Sequence, residues 1–201
     1  MGYMHIENLY RPAAQVILLF KEVYALEKVH GTSAHIGWRS TAGNPQLTYF
    51  AGGESHANFV ALFDDAALRA AFTAIGHPEV TVFGEAYGGK QQGMRHTYGD
   101  KLSFIVFDVK IGETWLAVPD AEDVAKKLGL EFVPYHRVAT ELSALDAERD
   151  RPSEVAARRG VAAPKPREGV VLRPLREFSR VRHSARRRHH VPSPIRRSWL
   201  C

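Results

Sequence analysis

Glu27-Lys28-Val29-His30-Gly31-Thr32-Ser33 follows directly on the apolar stretch Val23-Tyr24-Ala25-Leu26. A lysine two residues ahead of a His-Gly pair, just after an apolar run, places a cationic side chain at the end of a strand. Gly31 lets the backbone approach a planar or anionic group closely. A lysine amine attacks phosphorus only as the neutral base, and an ordinary lysine carries its proton at neutral pH. A site that uses Lys28 as a nucleophile must desolvate the amine or set positive charge beside it. Taken alone, the heptapeptide is better read as an exposed lysine before a turn.

The blocks downstream change that reading. Val82-Phe83-Gly84-Glu85-Ala86-Tyr87-Gly88-Gly89 comes next, then Phe104-Ile105-Val106-Phe107-Asp108-Val109, then Glu168-Gly169-Val170-Val171-Leu172-Arg173-Pro174. A lysine motif, two glutamate-bearing strands and an aromatic strand in this order resemble the ATP-dependent RNA ligases of the covalent nucleotidyltransferase superfamily, the branch that includes phage-type RNA ligase 2. The resemblance covers residues 20 to 178. Ordered blocks are a far more specific signal than any one of them.

The resemblance implies a role for each matched residue. Lys28 becomes the nucleophile that takes AMP from ATP as a lysine phosphoramide, with Mg2+ as the usual divalent ion. Glu27 gains an adenine-facing role; its plain alternative is a solvated charge at a strand end. Val29, His30, Gly31 and Ser33 join the nucleotide site. His30 either touches the phosphates or hydrogen-bonds loop backbone. The family commonly has asparagine at the place of Ser33, and a hydroxyl offers fewer hydrogen bonds than an amide. Arg39 either approaches the 3′ side of the nucleotide or is a surface arginine. Glu85 matches the glutamate that binds ribose hydroxyls or a metal-bound water. Phe104 matches the residue that stacks on adenine, with Phe107 as the core member of the pair. Glu168 matches the glutamate that helps hold the catalytic metal. The implied partner is RNA with a 5′-phosphate and a 3′-hydroxyl end.

Composition narrows the alternatives. The 201 residues suffice for one sizeable core plus a tail. The net charge of +5 favours an anionic partner. The single cysteine is Cys201, so the sequence offers neither an internal disulfide nor a cysteine zinc site. That fits a reducing, cytoplasmic setting. Val16-Ile17-Leu18-Leu19-Phe20 is too short to span a bilayer and is better read as a buried strand or helix segment, and the N-terminus does not read as a secretion signal. No histidine spacing suits a metal, and Ser-His-Asp chemistry has no local support.

Patterning predicts strands over 33–38, 47–50, 80–85, 102–109, 132–135 and 169–172. Helices are expected over 58–76, with Leu68, Phe72 and Ile75 on one face, and over 119–128. A charged helical segment, 140–160, is interrupted at Pro152. Few helices, not alternating strictly with strands, argue for an α+β fold. The family's form is a nucleotidyltransferase domain of two mainly antiparallel sheets flanked by helices. The adenylyltransferase domain is assigned to 1–178 and a basic, irregular tail to 179–201.

The tail departs from the family. Its last motif is a strand carrying a pair of lysines aimed at the phosphates, yet the last lysine here is Lys165. Arg186-Arg187-Arg188-His189-His190-Val191 stands in the expected region, and the arginine fork is no simple substitute for a compact ammonium. The tail reads as a solvated segment, an electrostatic clamp on RNA, or the product of a frame change. The expected activity is RNA end joining, impaired by that loss. The alternatives are a catalytically inactive nucleotide- or RNA-binding protein and a DNA ligase of the same superfamily.

Overall fold

The computed structural model describes residues 3–41, 44–176 and the backbone of 198–200. The arginine run lies outside the described residues. Strands Glu22–Lys28 (β2) and Thr32–Thr41 (β3) run on from each other through Val29-His30-Gly31 but belong to different sheets. The chain crosses between sheets at Gly31, where a Cβ would lie 2.3 Å from the carbonyl oxygen of Ala86. Only glycine fits that approach.

With Glu7–Asn8 (β1), Tyr135–Ala139 (β8), Gly169–Pro174 (β9) and Ser198–Leu200 (β10), one sheet has the order β1-β10-β9-β2-β8. The other comprises Asn44–Ala51 (β4), Glu79–Tyr87 (β5), Ser103–Ile111 (β6) and Thr114–Trp115 (β7), in the order β4-β3-β5-β6-β7. All neighbouring pairs are antiparallel except β1 with β10. This is the α+β architecture of two mainly antiparallel sheets. The tail returns at its end to place β10 between β1 and β9.

The larger core lies on the helical side of the second sheet, with His56–Val60 (α1), Asp65–Ile75 (α2) and Val118–Lys127 (α4) around it; Arg95–Tyr98 (α3) is a single turn. The segment expected as one helix over 58–76 is two helices. Asp64 caps the second by accepting from Ala67 N at 3.0 Å, and Gly76 ends it at φ 77°. Phe72 stacks on Trp38 with centroids 5.5 Å apart, and both are buried. Such side chains contribute roughly 1.5–3 kcal/mol each. A smaller core of Leu9, Ile17, Val23, Ala25, Leu145, Val170 and Leu172 lies on the first sheet beneath Leu142–Arg149 (α5). Glu154–Arg158 (α6) completes the helices.

Two expectations shift. Val16–Phe20, read as a strand or helix segment, forms a 3-10 turn over Gln15–Leu19 with Leu19 exposed. The strand placed at 132–135 begins instead at Tyr135; Phe132 makes an isolated bridge to Val106.

Candidate active site

β2 and β9 pair in register, with Lys28 opposite Gly169 and Leu26 opposite Val171. Glu168 immediately precedes β9, so this pairing brings residues far apart in sequence together. Lys28 Nζ donates to Glu168 Oε1, and both side chains stay about a quarter exposed, at 30% and 24%. The other oxygen, Glu168 Oε2, is buried and has no hydrogen-bond partner among the described residues.

Across the seam, β5 supplies Glu85. Its carboxylate accepts from Gly31 N at 3.2 Å. Burial pushes Glu85 up to about 7; nearby Glu168 adds to the rise, while Lys28 and the Gly31 N–H oppose it. Two carboxylates and one amine thus share a partly desolvated space, which is the arrangement expected where proton affinities are tuned.

These groups line a cavity of about 620 Å³, within the roughly 300–1,000 Å³ of small-molecule sites. Its walls are graded. Lys28, Glu168, Glu85 and Ser33 are charged or polar, whereas Leu26 and Val171, one pleat repeat along β2 and β9, are apolar. Phe107 stands in the same relation to Glu85, whose cross-strand partner is Ile105. Two strand residues span roughly 7 Å, so the charged groups give way to an apolar slot within that distance.

The structure brings Lys28, Val29, His30, Gly31, Ser33, Glu85 and Glu168 to this cavity. It treats Glu27 differently. Glu27 is 2% exposed, and its carboxylate accepts from Ser153 Oγ, Glu154 N and Val155 N at the start of α6. Burial raises its pKa against those hydrogen bonds. The solvated strand-end charge is therefore corrected: the carboxylate caps α6, and Glu27 borders the cavity beside Lys28 without being free in solvent. His30 N donates to Tyr98 Oη at 3.4 Å.

Phe104 and Arg39 lie elsewhere. Phe104 packs edge-on against Phe59 and Phe63, at centroid distances of 5.3 and 5.6 Å, in the helical core. Phe107 lines the cavity, so the two phenylalanines exchange the positions expected of them. Residues three apart on a strand face opposite ways, and the face that holds Glu85 is the one that holds Phe107. Arg39 is exposed and pairs with Glu79 at 2.9 Å, six residues along β3 from Ser33; the surface alternative is the one observed.

Sequence reading missed Arg173, Gln92, Tyr3 and Ile6 as cavity residues. Arg173, 1% exposed, pairs with Asp108 Oδ1 at 3.1 Å and donates to the carbonyls of Leu116 at 2.7 Å and Phe107 at 3.3 Å. An arginine in an apolar strand block was the available signal. Gln92 sits at φ 50°, the one positive-φ non-glycine residue among those described.

A sequence model described as RNA ligase matches residues 21–189. The chain belongs to the RNA ligase family. Solved structures of Naegleria gruberi RNA ligase share the fold, each with a TM-score of 0.65. A lysine-to-methionine mutant with AMP and Mn is 15% identical, covering 87% of this chain and 53% of that one. An apo aspartate-to-alanine mutant is 17% identical, and a lysine-to-alanine mutant with ATP and Mn 16%, each covering 87% of this chain and 52% of the other. This RNA ligase-family chain spans about half the length of those proteins. A search of curated proteins found no match. No helix among the described residues is long and apolar enough to cross a membrane.

Proposed function

We propose that this chain is the nucleotidyltransferase unit of an ATP-dependent RNA ligase, with Lys28 as the residue that carries AMP. The observation that carries the reading is the position of Lys28 Nζ: against Glu168, beside Glu85, at the charged part of a cavity that continues into an apolar slot.

The apolar walls at Leu26, Phe107 and Val171 suit the faces of a purine, and Phe107 takes the stacking role expected of Phe104. Glu85 and Ser33 suit ribose hydroxyls. The α-phosphate then meets Lys28. The neutral amine attacks the α-phosphorus, an N–P bond forms, the bond to the bridging oxygen breaks, and pyrophosphate leaves with that electron pair. The amine must first surrender its proton and its contact with Glu168. Glu85, poised near neutrality, is a suitable resting place for it. The 5′-phosphate of RNA next attacks the adenylate, breaking the N–P bond and restoring Lys28. The 3′-hydroxyl of the second end displaces AMP from the activated phosphate.

The residues present fit a divalent cation such as Mg2+. Glu168 Oε2 is buried and unpaired among the described residues, and the charge of Glu168 adds to the rise of Glu85 nearby. No cluster of three or more protein ligands exists among the described residues. Mg2+ commonly uses one or two carboxylates and completes its shell with waters and substrate phosphates. When bound, such an ion neutralises phosphate charge.

One observation favours a second reading, binding without efficient transfer: no lysine follows Lys165. Each cation lost from a transferring phosphoryl group costs roughly 3 kcal/mol. The expected outcome is therefore a weak AMP adduct on Lys28, seen by peptide mass spectrometry after incubation with ATP and Mg2+. The adduct should be absent in Lys28→Ala. An adduct on another residue, or one that survives Lys28→Ala, refutes Lys28 as carrier.

A further inference from the structure

We propose that Tyr3 is a positioning residue and that the segment Tyr3–Ile6 is a detachable wall of the nucleotide cavity, holding Phe107 in place and governing how fast an adenine nucleotide enters and leaves. This rests on the nucleotide reading of that cavity. The strap belongs to neither sheet: it precedes β1, whereas the slot residues Leu26, Phe107 and Val171 come from strands.

What holds the strap is specific. The Tyr3 ring sits in a socket of three aromatic rings, with centroids 4.9 Å from Phe107, 5.2 Å from Phe83 and 5.5 Å from Trp115. The Phe107 and Trp115 contacts are edge-on, at 69° and 85°, the geometry that aromatic quadrupoles favour. Tyr3 Oη donates to Asp108 Oδ2 at 2.8 Å. Asp108 is fully buried; its Oδ1 accepts from Val109 N at 2.9 Å and pairs with Arg173 at 3.1 Å. Arg173 in turn donates to the carbonyl of Phe107. Tyr3 therefore touches the Phe107 ring directly and reaches its backbone through Asp108 and Arg173. Ring and main chain are set together.

Between Tyr3 and Ile6 the strap faces solvent: Met4 is 37% exposed, and the His5 side chain is 79% exposed and reaches Glu7 at 3.8 Å. A strap whose middle residues face solvent can lift at Tyr3 by releasing the aromatic socket and the Asp108 hydrogen bond. Closed, it excludes water from the slot and presses on Phe107. Open, it exposes the slot. Low local stability is where gating elements are found.

The test uses the full chain, Tyr3→Phe and Tyr3→Ala, with AMP as the probe, so that no covalent step enters. Dissociation constants and dissociation rates come from a fluorescent AMP analogue; amide exchange is followed over 3–8 and 103–115 by mass spectrometry. AMP should slow exchange over 3–8 in the full chain. Tyr3→Ala should raise the dissociation rate roughly tenfold and abolish that protection. Tyr3→Phe keeps the ring and loses one hydrogen bond, so a change of about threefold is expected. If Tyr3→Ala loses its thermal transition, Tyr3→Phe alone decides. Unchanged AMP dissociation in folded variants, or a strap whose exchange ignores AMP, overturns the proposal and leaves the nucleotide site standing. A full chain that binds no AMP overturns both.

Discussion

Two ion pairs stand side by side on the same two stretches of chain and do opposite things. Lys28 meets Glu168 in a cavity open to solvent. One residue earlier on each stretch, Glu27 and Arg167 lie 3.8 Å apart with side chains at 0% and 1% exposure. Arg167 spends its whole fork inside the protein: on Glu148 Oε1 at 2.6 Å, Glu154 Oε1 at 2.9 Å and the carbonyls of Glu148 and Pro152. The inner pair ties β2 and the approach to β9 to α5 and α6. The outer pair is left half-desolvated and adjustable. Alternation of side chains along an extended chain turns neighbours to opposite sides, so one stretch can carry an inward structural charge and a cavity-facing one without either serving both ends.

Breaking the inner pair should produce the largest effect. Arg167→Ala takes the buried cation from Glu27, which keeps only its hydrogen bonds at α6, and from Glu148, which keeps Arg151 and His136, and a loss of about 3–5 kcal/mol in urea unfolding is expected. A loss below about 1 kcal/mol would show the inner pair to be no different from a surface pair. The two phenylalanines sharpen the contrast next. Phe104→Ala should cost about 3–5 kcal/mol of stability, because the ring fills the helical core. Phe107→Ala should cost less stability and weaken AMP binding more; equal binding defects would erase the distinction between slot and core.

Glu85→Gln comes third. The folded carboxyl titrates at about 7 and the unfolded one near 4.5. A group raised in this way contributes its full stability below pH 4.5 and loses it as pH rises through 7. In metal-free buffer, Glu85→Gln should therefore match the unmodified chain near pH 4.5 and exceed it above pH 7, by up to about 3 kcal/mol. A stability difference that does not change with pH would refute the buried-carboxylate account. The smallest change in stability belongs to Lys28→Ala, under about 1 kcal/mol, since its pair is partly solvated; thermal melts check it. The same substitution removes the AMP adduct.

Much of the architecture is legible before any tertiary contact is known. Asp64 and Gly76 bracket α2 because a carboxylate and a left-handed residue are what helix ends require. The strands at β3, β5, β6 and β9 follow from apolar patterning, though each ends two or three residues beyond its pattern. The turn at Val16–Phe20 was ambiguous, since a short apolar run lacks a period.

The site divides in the same manner. Lys28, Glu85 and Glu168 could be named because the order of their blocks resembles that of the RNA ligases, and the structure brings all three to one cavity. Phe107 in place of Phe104 could not. The choice depends on the register of β5 against β6, which slips between Phe83 and Gly84 and puts Glu85 opposite Ile105. No single strand carries that information.

The residues themselves determined an α+β chain with its strands and helix caps, since hydrophobic period and glycine placement are local properties; the two-sheet form and the trio Lys28, Glu85 and Glu168 came from the likeness of the ordered blocks to the RNA ligases. Only the tertiary structure decided that Glu27 turns inward to cap α6, that Arg39 stays on the surface, and that Tyr3 closes the slot beside Phe107. Those outcomes depend on pairings between residues dozens of positions apart, where burial and hydrogen-bond geometry choose among partners that the linear order leaves equivalent.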